Sequence, residues 1–574
     1  MAGKALVPRF GWLTSIGGKD LLKDGIAGVI LSILLVPQAM AYAQLAGLPP
    51  QMGLYAAMTP PLLYAVFGTS PYVSVGPVAL VSLIVAEASG AAGGDPMSTV
   101  AIIAIEAGLI LLVVGAIGLG RLVNFVSEPA MLGFTAAAAF LIAASQLPPL
   151  LGLDTERAGD LPTALGLLWS ALPDTSMPTA VIGGSALVAL LVVHRFAAPL
   201  LWKAGLHPPW RQAVAKSFPL LIIVGAALAA ASYNGTVPTV EAVQPQLPKL
   251  PQFGSIDLWI AVLPSAAAVA IIVFVTATAV AKSLAGTDRS GLDTSREAVA
   301  LGAGNIVAAL SGGYAVGASL SRSALVEESG ARSPLASVVG ALVVLATLLF
   351  LAPLLAYLPR TALAALVISA VFGLIKPKEI KSIWGHDRLE GYIVVAAFLA
   401  TLVLGVRLGL AIGAGLSVAH FMWFSSVPRV TRIGSDDGGA SFRSVDRDDV
   451  EIITLPVLGI RIDRSIYFGN AEFVEEQIFK LINRHDNVEC VVLDMRAVNG
   501  VDASGCAMLR RLAERFELAE MQLHFAAAHQ PVVEKLKSLD RSVCQFHRTV
   551  QEAVGSCGVS LDEVNDDDVG IWPR

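Results

Sequence analysis

Arg322 has the most chemical leverage of any residue in this 574-residue chain. It stands in Gly317-Ala318-Ser319-Leu320-Ser321-Arg322-Ser323, at the start of a short apolar stretch, 319–331. An arginine at membrane depth costs about 2.5–3.5 kcal/mol on insertion scales, so it requires a counter-charge or water. A bound anion is one candidate counter-charge. A structural ion pair with Glu87, Glu327 or Glu328 is the other reading. Ser319 and Ser321 either donate hydroxyls to an oxyanion or cap and back-bond their own helix. A second short stretch, 76–89, opens on Gly76-Pro77-Val78-Ala79. Glycine there lets a solute approach the backbone, and proline at a first helical position sacrifices no needed donor. Val78, Ala79 and Ala318 contribute backbone N–H groups and an apolar wall. Two helix starts facing each other, each with unpaired N–H groups and about half a positive charge, make an anion site that needs no metal. Gln38 and Tyr42, four apart, share one face of the first apolar stretch.

The elements that must position these residues follow from composition. The chain is 55% hydrophobic and 15% charged, with a mean hydropathy of +0.69. A soluble domain carries about 25% charged residues, so an ordinary soluble enzyme is excluded, as is a disordered chain. Charge is unevenly spread. Residues 1–425 hold 22 Lys and Arg against 20 Asp and Glu; residues 426–574 hold 17 against 25. The first part reads as membrane and the second as a water-soluble domain. No long basic run offers a nucleic-acid footprint.

A spanning helix needs about 20 apolar residues. Runs and breakers predict fourteen segments: 25–46, 51–67, 76–89, 99–118, 124–146, 178–200, 213–232, 260–284, 295–311, 319–331, 335–352, 360–375, 388–406 and 408–425. Loop charges agree with an N-terminus inside. The loop 147–177 carries Asp154, Glu156, Asp160 and Asp174 against Arg157, whereas Arg195, Lys203, Arg211 and Lys216, and later Lys376, Lys378, Lys381 and Arg388, fall on the inner side. An even number of spans places the C-terminal domain in the cytoplasm. A signal peptide is not expected, because the first 24 residues are mixed polar.

The third and tenth segments are the shortest and occupy corresponding places in two sets of seven. Each follows an extended stretch, Tyr72-Val73-Ser74-Val75-Gly76-Pro77 or Tyr314-Ala315-Val316-Gly317-Ala318-Ser319, with Gly76 and Gly317 241 residues apart. The run from Val36 to Gly47 echoes that from Val275 to Gly286 at an offset of 239. A seven-segment unit repeated once must be inverted in the membrane. Paired, Gly/Pro-interrupted short segments point to a transporter binding site.

After residue 450 the period changes. Ile452–Leu455, Val488–Met495 and Met521–Ala527 read as strands, and 470–484 and 504–519 as amphipathic helices, predicting a small α/β domain. Residues 434–439 read as loop. All four cysteines, Cys490, Cys506, Cys544 and Cys557, lie in this domain, none in a CxxC pair or a metal-ligand spacing, and are expected as free thiols.

The stretch Val36-Pro37-Gln38-Ala39-Met40-Ala41-Tyr42-Ala43, with Leu48-Pro49-Pro50 and Gly53-Leu54-Tyr55, resembles the signature of the SulP (sulfate permease) anion transporters. So do Ser127 with Pro129 before Gly133-Phe134, and Gly317 to Ser323 running on to Gly330-Ala331-Arg332. Leu493-Asp494 and Val501-Asp502-Ala503-Ser504-Gly505 resemble a STAS domain. The resemblance implies a seven-plus-seven inverted repeat with core and gate subdomains, a homodimer and elevator-like alternating access. It divides the chain into a cytoplasmic segment (1–24), a transmembrane domain (25–425, with repeats over about 25–235 and 258–425), a linker (426–449), a STAS domain (450–557) and an acidic tail (558–574). It also implies that Arg322 lies at the anion site and that Gln38 and Tyr42 line the central cavity.

Proton-coupled relatives carry a glutamate six residues before a lysine matching Lys282. Here that position is Thr276, which puts simple proton symport through this helix in doubt. Thr276 and Thr278 either coordinate Na⁺ or pack; Glu106 is either an alternative proton carrier or an interhelical hydrogen-bonding group. Ser504 is expected as an N-cap; the matching serine of bacterial regulatory relatives can be phosphorylated. The expected function is secondary transport of inorganic oxyanions across the inner (plasma) membrane, sulfate first, with bicarbonate, a C4-dicarboxylate or an anion channel as alternatives. No cofactor beyond a coupling Na⁺ or H⁺, no metal and no enzymatic nucleophile–base set is expected. The residues leave the anion, the coupling ion and the partner of the C-terminal domain open.

Overall fold

The computed structural model describes residues 7–8, 12, 17–91, 95–121, 126–205, 210–233, 235–241, 243, 250–251, 253–285, 292–434, 442–444, 457–485, 488–536 and 544–558. Two compact units follow one another, Met1–Ser417 and Val418–Arg574. The expected strand Ile452–Leu455, residues 435–441 and 445–449 of the expected linker and the acidic tail beyond 558 lie outside the described residues; the rest of the linker is corrected, because Val430–Gly434 and Arg443–Ser444 pair as strands of the C-terminal sheet.

The first unit is helical: α1 (Gly18–Ala46), α2 (Pro50–Met58), α3 (Pro60–Phe67), β1 (Val75–Gly76), α4 (Ala79–Ala91), α5 (Pro96–Ala116), α6 (Glu128–Leu151), α7 (Leu161–Ala171), α8 (Met177–Lys203), α9 (Trp210–Ala231), α10 (Ile256–Leu284), α11 (Thr294–Leu310), β2 (Gly317–Ala318), α12 (Leu320–Glu328), α13 (Leu335–Phe350), α14 (Ala352–Leu355), α15 (Arg360–Val371), α16 (Pro377–His386), α17 (Arg388–Leu404) and α18 (Val406–Ser426). Every segment predicted from the apolar runs contains a helix. Among the described residues seven helical stretches are long and apolar enough to cross a membrane, and α4, α13 and residues 217–231 are shorter apolar helices. The second segment is split at Thr59, ahead of Pro60 and Pro61, into α2 and α3. Prolines near the starts of α2, α3, α5 and α6 supply the fixed φ a helix start needs. Asp95 and Ser127 cap α5 and α6 by accepting from Ser98 N and Ala130 N. Two helices arise where loops were expected, α7 and α16, and neither buries a side chain.

Small residues let these helices approach closely, as in membrane bundles generally. At the crossing of α5 and α11, a Cβ on Gly108 would lie 2.7 Å from the Gly302 carbonyl oxygen, and one on Gly302 would lie 2.7 Å from the Gly108 oxygen. Backbone meets backbone there, so no rotamer change makes room.

The second unit is a six-stranded sheet, built from β3 (Val430–Gly434), β4 (Arg443–Ser444), β5 (Leu458–Ile462), β6 (Cys490–Asp494), β7 (Gln522–Ala526) and β8 (Cys544–His547) in the order β4-β3-β5-β6-β7-β8. The β3 pairings are antiparallel and β5 to β8 run parallel. Its helices are α19 (Ala471–Ile482), α20 (Ala503–Leu518), α21 (Gln530–Leu536) and α22 (Val550–Ser556). Leu458, Ile460, Val491, Leu493, Leu523 and Phe525 point to one face and form a core with α19, α20 and α21. The opposite face carries Cys490, Val492 and Asp494 of β6 and His524 of β7, and receives α22 through Val550, Ala553 and Val554. Asp494 is fully buried there and paired with Arg461 (2.9 Å) and Arg496 (2.7 Å). Burial pushes its carboxyl up, but hydrogen bonds from Arg496 and Arg461 outweigh this and hold it below the usual carboxylate range.

The expectation of free thiols is corrected for two cysteines. Cys490 and Cys557 form a disulfide, with Cα atoms 6.1 Å apart. The sheet and the seating of α22 bring together residues 67 positions apart, a proximity no local spacing announces. Cys506 is a free thiol.

Gly108→Ala is expected to destabilise the transmembrane unit by about 1–3 kcal/mol, the usual cost of overpacking, read as a lower midpoint of thermal unfolding in detergent. A pH effect is also expected in the C-terminal unit. Burial, and secondarily the neighbouring His547, lowers the His524 pKa from 6.5 to about 4. Because the folded state holds this imidazole neutral, its contribution is complete above about pH 6.5 and is lost as pH falls toward 4. Hydrogen-exchange protection of residues 522–526, corrected for intrinsic rates, should fall across that window.

Candidate functional site

Two chain breaks meet inside the first unit. β1 and β2 pair antiparallel, with Val75 opposite Ala318 and Gly76 opposite Gly317. Ser319 N donates to Ser74 O (3.2 Å), extending the pairing. Each strand leads directly into a helix, β1 into α4 and β2 into α12. Antiparallel entry sends the two helices away from each other, so their N-termini converge, as the paired short segments predicted.

Side chains lock this junction. Asn305 of α11, fully buried, accepts from Val316 N (2.9 Å) and donates to Val316 O (3.1 Å). Ser323 Oγ accepts from Ser74 N at 2.9 Å. Tyr314 and Ser82 share a buried hydroxyl–hydroxyl hydrogen bond of 3.0 Å. The sequence named Ser74, Tyr314 and Ser323 only as members of the two extended stretches and the Arg322 motif, and Asn305 and Ser82 not at all; an asparagine inside an apolar helix was the available signal.

Arg322 lies on the first turn of α12 and is fully buried. Its Nη1 donates to Pro77 O (3.0 Å) and Gln38 Oε1 (3.3 Å), and its Nε donates to Ser74 Oγ (3.4 Å). Among the described residues Nη2 has no hydrogen-bond partner. It is buried, 3.5 Å from where a Cβ on Gly76 would stand. The structural ion pair considered above does not form. Glu87 instead accepts from the Arg407 backbone N (3.4 Å), and Glu327 and Glu328 are exposed. Among the described residues no carboxylate lies within salt-bridge distance of Arg322.

Gln38 therefore touches the guanidinium directly, and Tyr42, one turn on, is buried within electrostatic range of it, as is Tyr314. Val78 is half-buried; Ala79 and Ala318 are buried beside the paired strands. Ser319 is the N-cap of α12, accepting from Arg322 N (3.4 Å). Ser321 is exposed, its hydroxyl 3.3 Å from that of Ser319.

The coupling candidates are placed differently. Thr276 Oγ1 donates to Ile272 O of its own helix at 2.6 Å. Among the described residues Thr278 Oγ1 is buried without a partner, and so is Oε2 of Glu106, a residue only 8% exposed. A further buried carboxylate, Glu297, accepts from Tyr64 Oη (2.6 Å) and from Thr69 N (2.8 Å) and Oγ1 (2.5 Å).

In the C-terminal unit the expected N-cap is corrected. Asp502, not Ser504, caps α20 by accepting from Gly505 N (2.8 Å). Asp502 stands at the residue before the helix, from which its carboxylate reaches that N–H, and Ser504 lies exposed in the first turn. Burial pushes the Asp502 carboxyl up, but backbone N–H groups of Gly505, Phe468 and Ser504 and the nearby Lys535 hold it below its ordinary range.

A bundle of apolar helices interrupted by two facing half-helices, with a buried uncompensated cation at the junction, defines a multi-pass membrane transporter of anions. The comparisons with known proteins give the family. The sulfate permease family model matches residues 21–397 and the STAS domain model residues 450–553. The chain belongs to the sulfate permease family and carries a C-terminal STAS domain. Among curated relatives, Sulfate transporter 4.1, chloroplastic, of Arabidopsis thaliana is 30% identical, over 92% of this chain and 78% of its own. Probable sulfate transporter 4.2 of the same plant is 31% identical, over 94% and 80%. Among solved structures, murine Solute Carrier 26 family member A9 in the inward-facing state matches with a TM-score of 0.86 at 21% identity, over 96% of this chain and 93% of that one. The transmembrane domain of a cyanobacterium bicarbonate transporter, BicA, matches with a TM-score of 0.58 at 20% identity, over 69% and 98%. At these identities the structures speak for the fold alone.

Asn305→Ala is expected to leave both polar groups of Val316 buried and unpaired, at about 1–3 kcal/mol for each orphaned group. Thermal unfolding of the purified chain should shift down, and an Asn305→Gln variant, which retains the amide, should recover part of the loss.

Proposed function

We propose that this protein is a secondary active transporter of inorganic oxyanions, sulfate first, that binds its substrate between the N-termini of α4 and α12. The observation carrying this reading is the fully buried Arg322, which among the described residues has neutral oxygens for partners, an unpartnered Nη2 and no carboxylate within salt-bridge distance. A tetrahedral oxyanion would accept from Nη2, from backbone N–H groups at residues 79–80, 318 and 320, and from the Ser321 hydroxyl. Gln38 and Tyr42 would frame it. The names of the curated relatives, sulfate transporters of Arabidopsis thaliana, support sulfate.

A bicarbonate or C4-dicarboxylate substrate is the second reading, favoured by the fold shared with the cyanobacterial bicarbonate transporter and by donors that are mostly backbone and so do not select one geometry. Elevator-type alternating access by a homodimer of fourteen-span subunits, in the inner (plasma) membrane with N-terminus and STAS domain cytoplasmic, completes the proposal; the positive charges of the loops expected inside support that orientation. For coupling, Glu106 is the proton-carrier candidate, because one of its carboxylate oxygens is buried and unpaired. Thr276, bonded to its own helix, fits packing better than Na⁺ coordination, and Thr278 stays a candidate ligand. Ser504, exposed at a helix start, is accessible to a kinase.

Liposomes containing the purified chain should accumulate labelled sulfate, with bicarbonate and fumarate as competitors, under separately imposed H⁺, Na⁺ and anion gradients. Saturable, gradient-driven uptake is expected; a current that grows with voltage without saturating in substrate would select a channel instead. Arg322→Gln should keep the protein folded while weakening anion affinity, read from anion-dependent thermal stabilisation, at least about tenfold, since a hydrogen bond to a charged group contributes about 1.5–3 kcal/mol. Wild-type uptake by that variant would refute the site.

A further inference from the structure

The polar face of the C-terminal sheet gathers a second set of reactive side chains, unrelated to anion transport. The β6–β7 register sets Cys490 opposite Gln522 and Val492 opposite His524, so Cys490 and His524 are diagonal neighbours on one face. The β7–β8 register sets His524 opposite Gln545 and Ala526 opposite His547, which brings His547 to the same face. α22 packs over this face and delivers Cys557 from its C-terminal end. One ligand atom from each of Cys490, His524 and Cys557 lies within 4.8 Å of the others. His547 Nε2 stands 2.8 Å from His524 Nδ1.

We propose that Cys490, Cys557, His524 and His547, once the disulfide is reduced, bind one thiophilic divalent cation of the Zn²⁺ class. Two sulfurs and two imidazole nitrogens are the donor set such an ion takes in closed tetrahedral sites. Bond lengths of about 2.3 Å to sulfur and 2.0–2.1 Å to nitrogen set ligand atoms roughly 3.3–3.8 Å apart. The imidazole nitrogens need to part by about half an ångström and the sulfurs by rotation about χ1. The second observation is the partner behind His524. Its Nε2 lies 3.2 Å from Gln522 Oε1, a carbonyl that can only accept, so Nε2 carries the proton and Nδ1, the atom facing His547, is left to ligate. Metal-bound histidines are oriented by such a partner on the far nitrogen. Charge also balances, because two thiolates neutralise a divalent ion in a place where Cys490 and His524 are 4% and 1% exposed.

The disulfide and the ion exclude each other. A phosphine reduces the Cys490–Cys557 bond to two thiols while taking oxygen from water to become its oxide. The cation then displaces one proton from each thiol. The metal holds the last helix of the domain onto the central strands, as the disulfide does in the oxidised form.

The test uses the full-length chain in detergent, reduced with a phosphine that is then removed without air. Co²⁺ serves as the spectroscopic probe and Zn²⁺ as its competitor. One Co²⁺ per chain is expected, with a sulfur-to-cobalt charge-transfer band and the intense visible bands of tetrahedral cobalt, both abolished by Zn²⁺. Cys490→Ser should lose the site, His524→Gln should weaken it at least about tenfold, and Cys506→Ser should leave it unchanged. The same wild-type chain with its disulfide intact should bind no Co²⁺ at this site, a comparison that needs no variant to fold. A reduced wild-type chain lacking the charge-transfer band, or a band that persists when Cys490 and Cys557 are both serine, overturns the proposal.

Discussion

A guanidinium held in an interior that offers it oxygens but no carboxylate is the constraint around which the first unit is arranged. Arg322 is fully buried, and its protein partners are the Gln38 amide, the Pro77 carbonyl and the Ser74 hydroxyl. Each softens the cost of removing the charge from water, and none cancels it. The two helix starts beside it add positive ends to a region that already has a cation. Such a concentration of one sign persists only if the surrounding structure over-determines it.

That over-determination is visible in the polar groups packed around the breaks. Asn305 supplies Val316 with a donor and an acceptor in place of a strand neighbour. Ser323 and Ser319 tie the start of α12 to Ser74 on the other strand. Irregular backbone within an apolar bundle is tolerated where such partners satisfy it. Further out, glycine pairs such as Gly108 and Gly302 bring helix axes close enough for backbone contact, which positions α11, and therefore Asn305, against the bundle. Glu297, at the other end of α11, is held by Tyr64 and Thr69 and anchors that helix to α3 and the turn after it.

The C-terminal unit solves a different problem. Its sheet separates an apolar face, packed by three helices, from a face where polar and sulfur-bearing side chains cluster. Asp494 is buried there because two arginines reach it, and α22 is secured both by buried Val550, Ala553 and Val554 and by the Cys490–Cys557 bond.

Much of this architecture was legible in the order of residues. Apolar runs of about membrane length, broken by Gly and Pro, located a helix for every predicted segment, because a helix in lipid must satisfy its backbone internally and announces itself by composition. The paired short segments and the arginine in one of them marked the candidate site, since Gly-Pro breaks and a membrane cation are costly and therefore conspicuous. Contacts between distant segments were not legible. The antiparallel match of Val75 with Ala318, the Asn305 clasp on Val316, the turning of Glu87 toward Arg407 instead of Arg322, the cap at Asp502 rather than Ser504, and the meeting of Cys490 with Cys557 all depend on which faces the packed helices and strands present to one another. Periodicity sets which residues share a face of their own element; only the closed packing of the chain decides what that face meets.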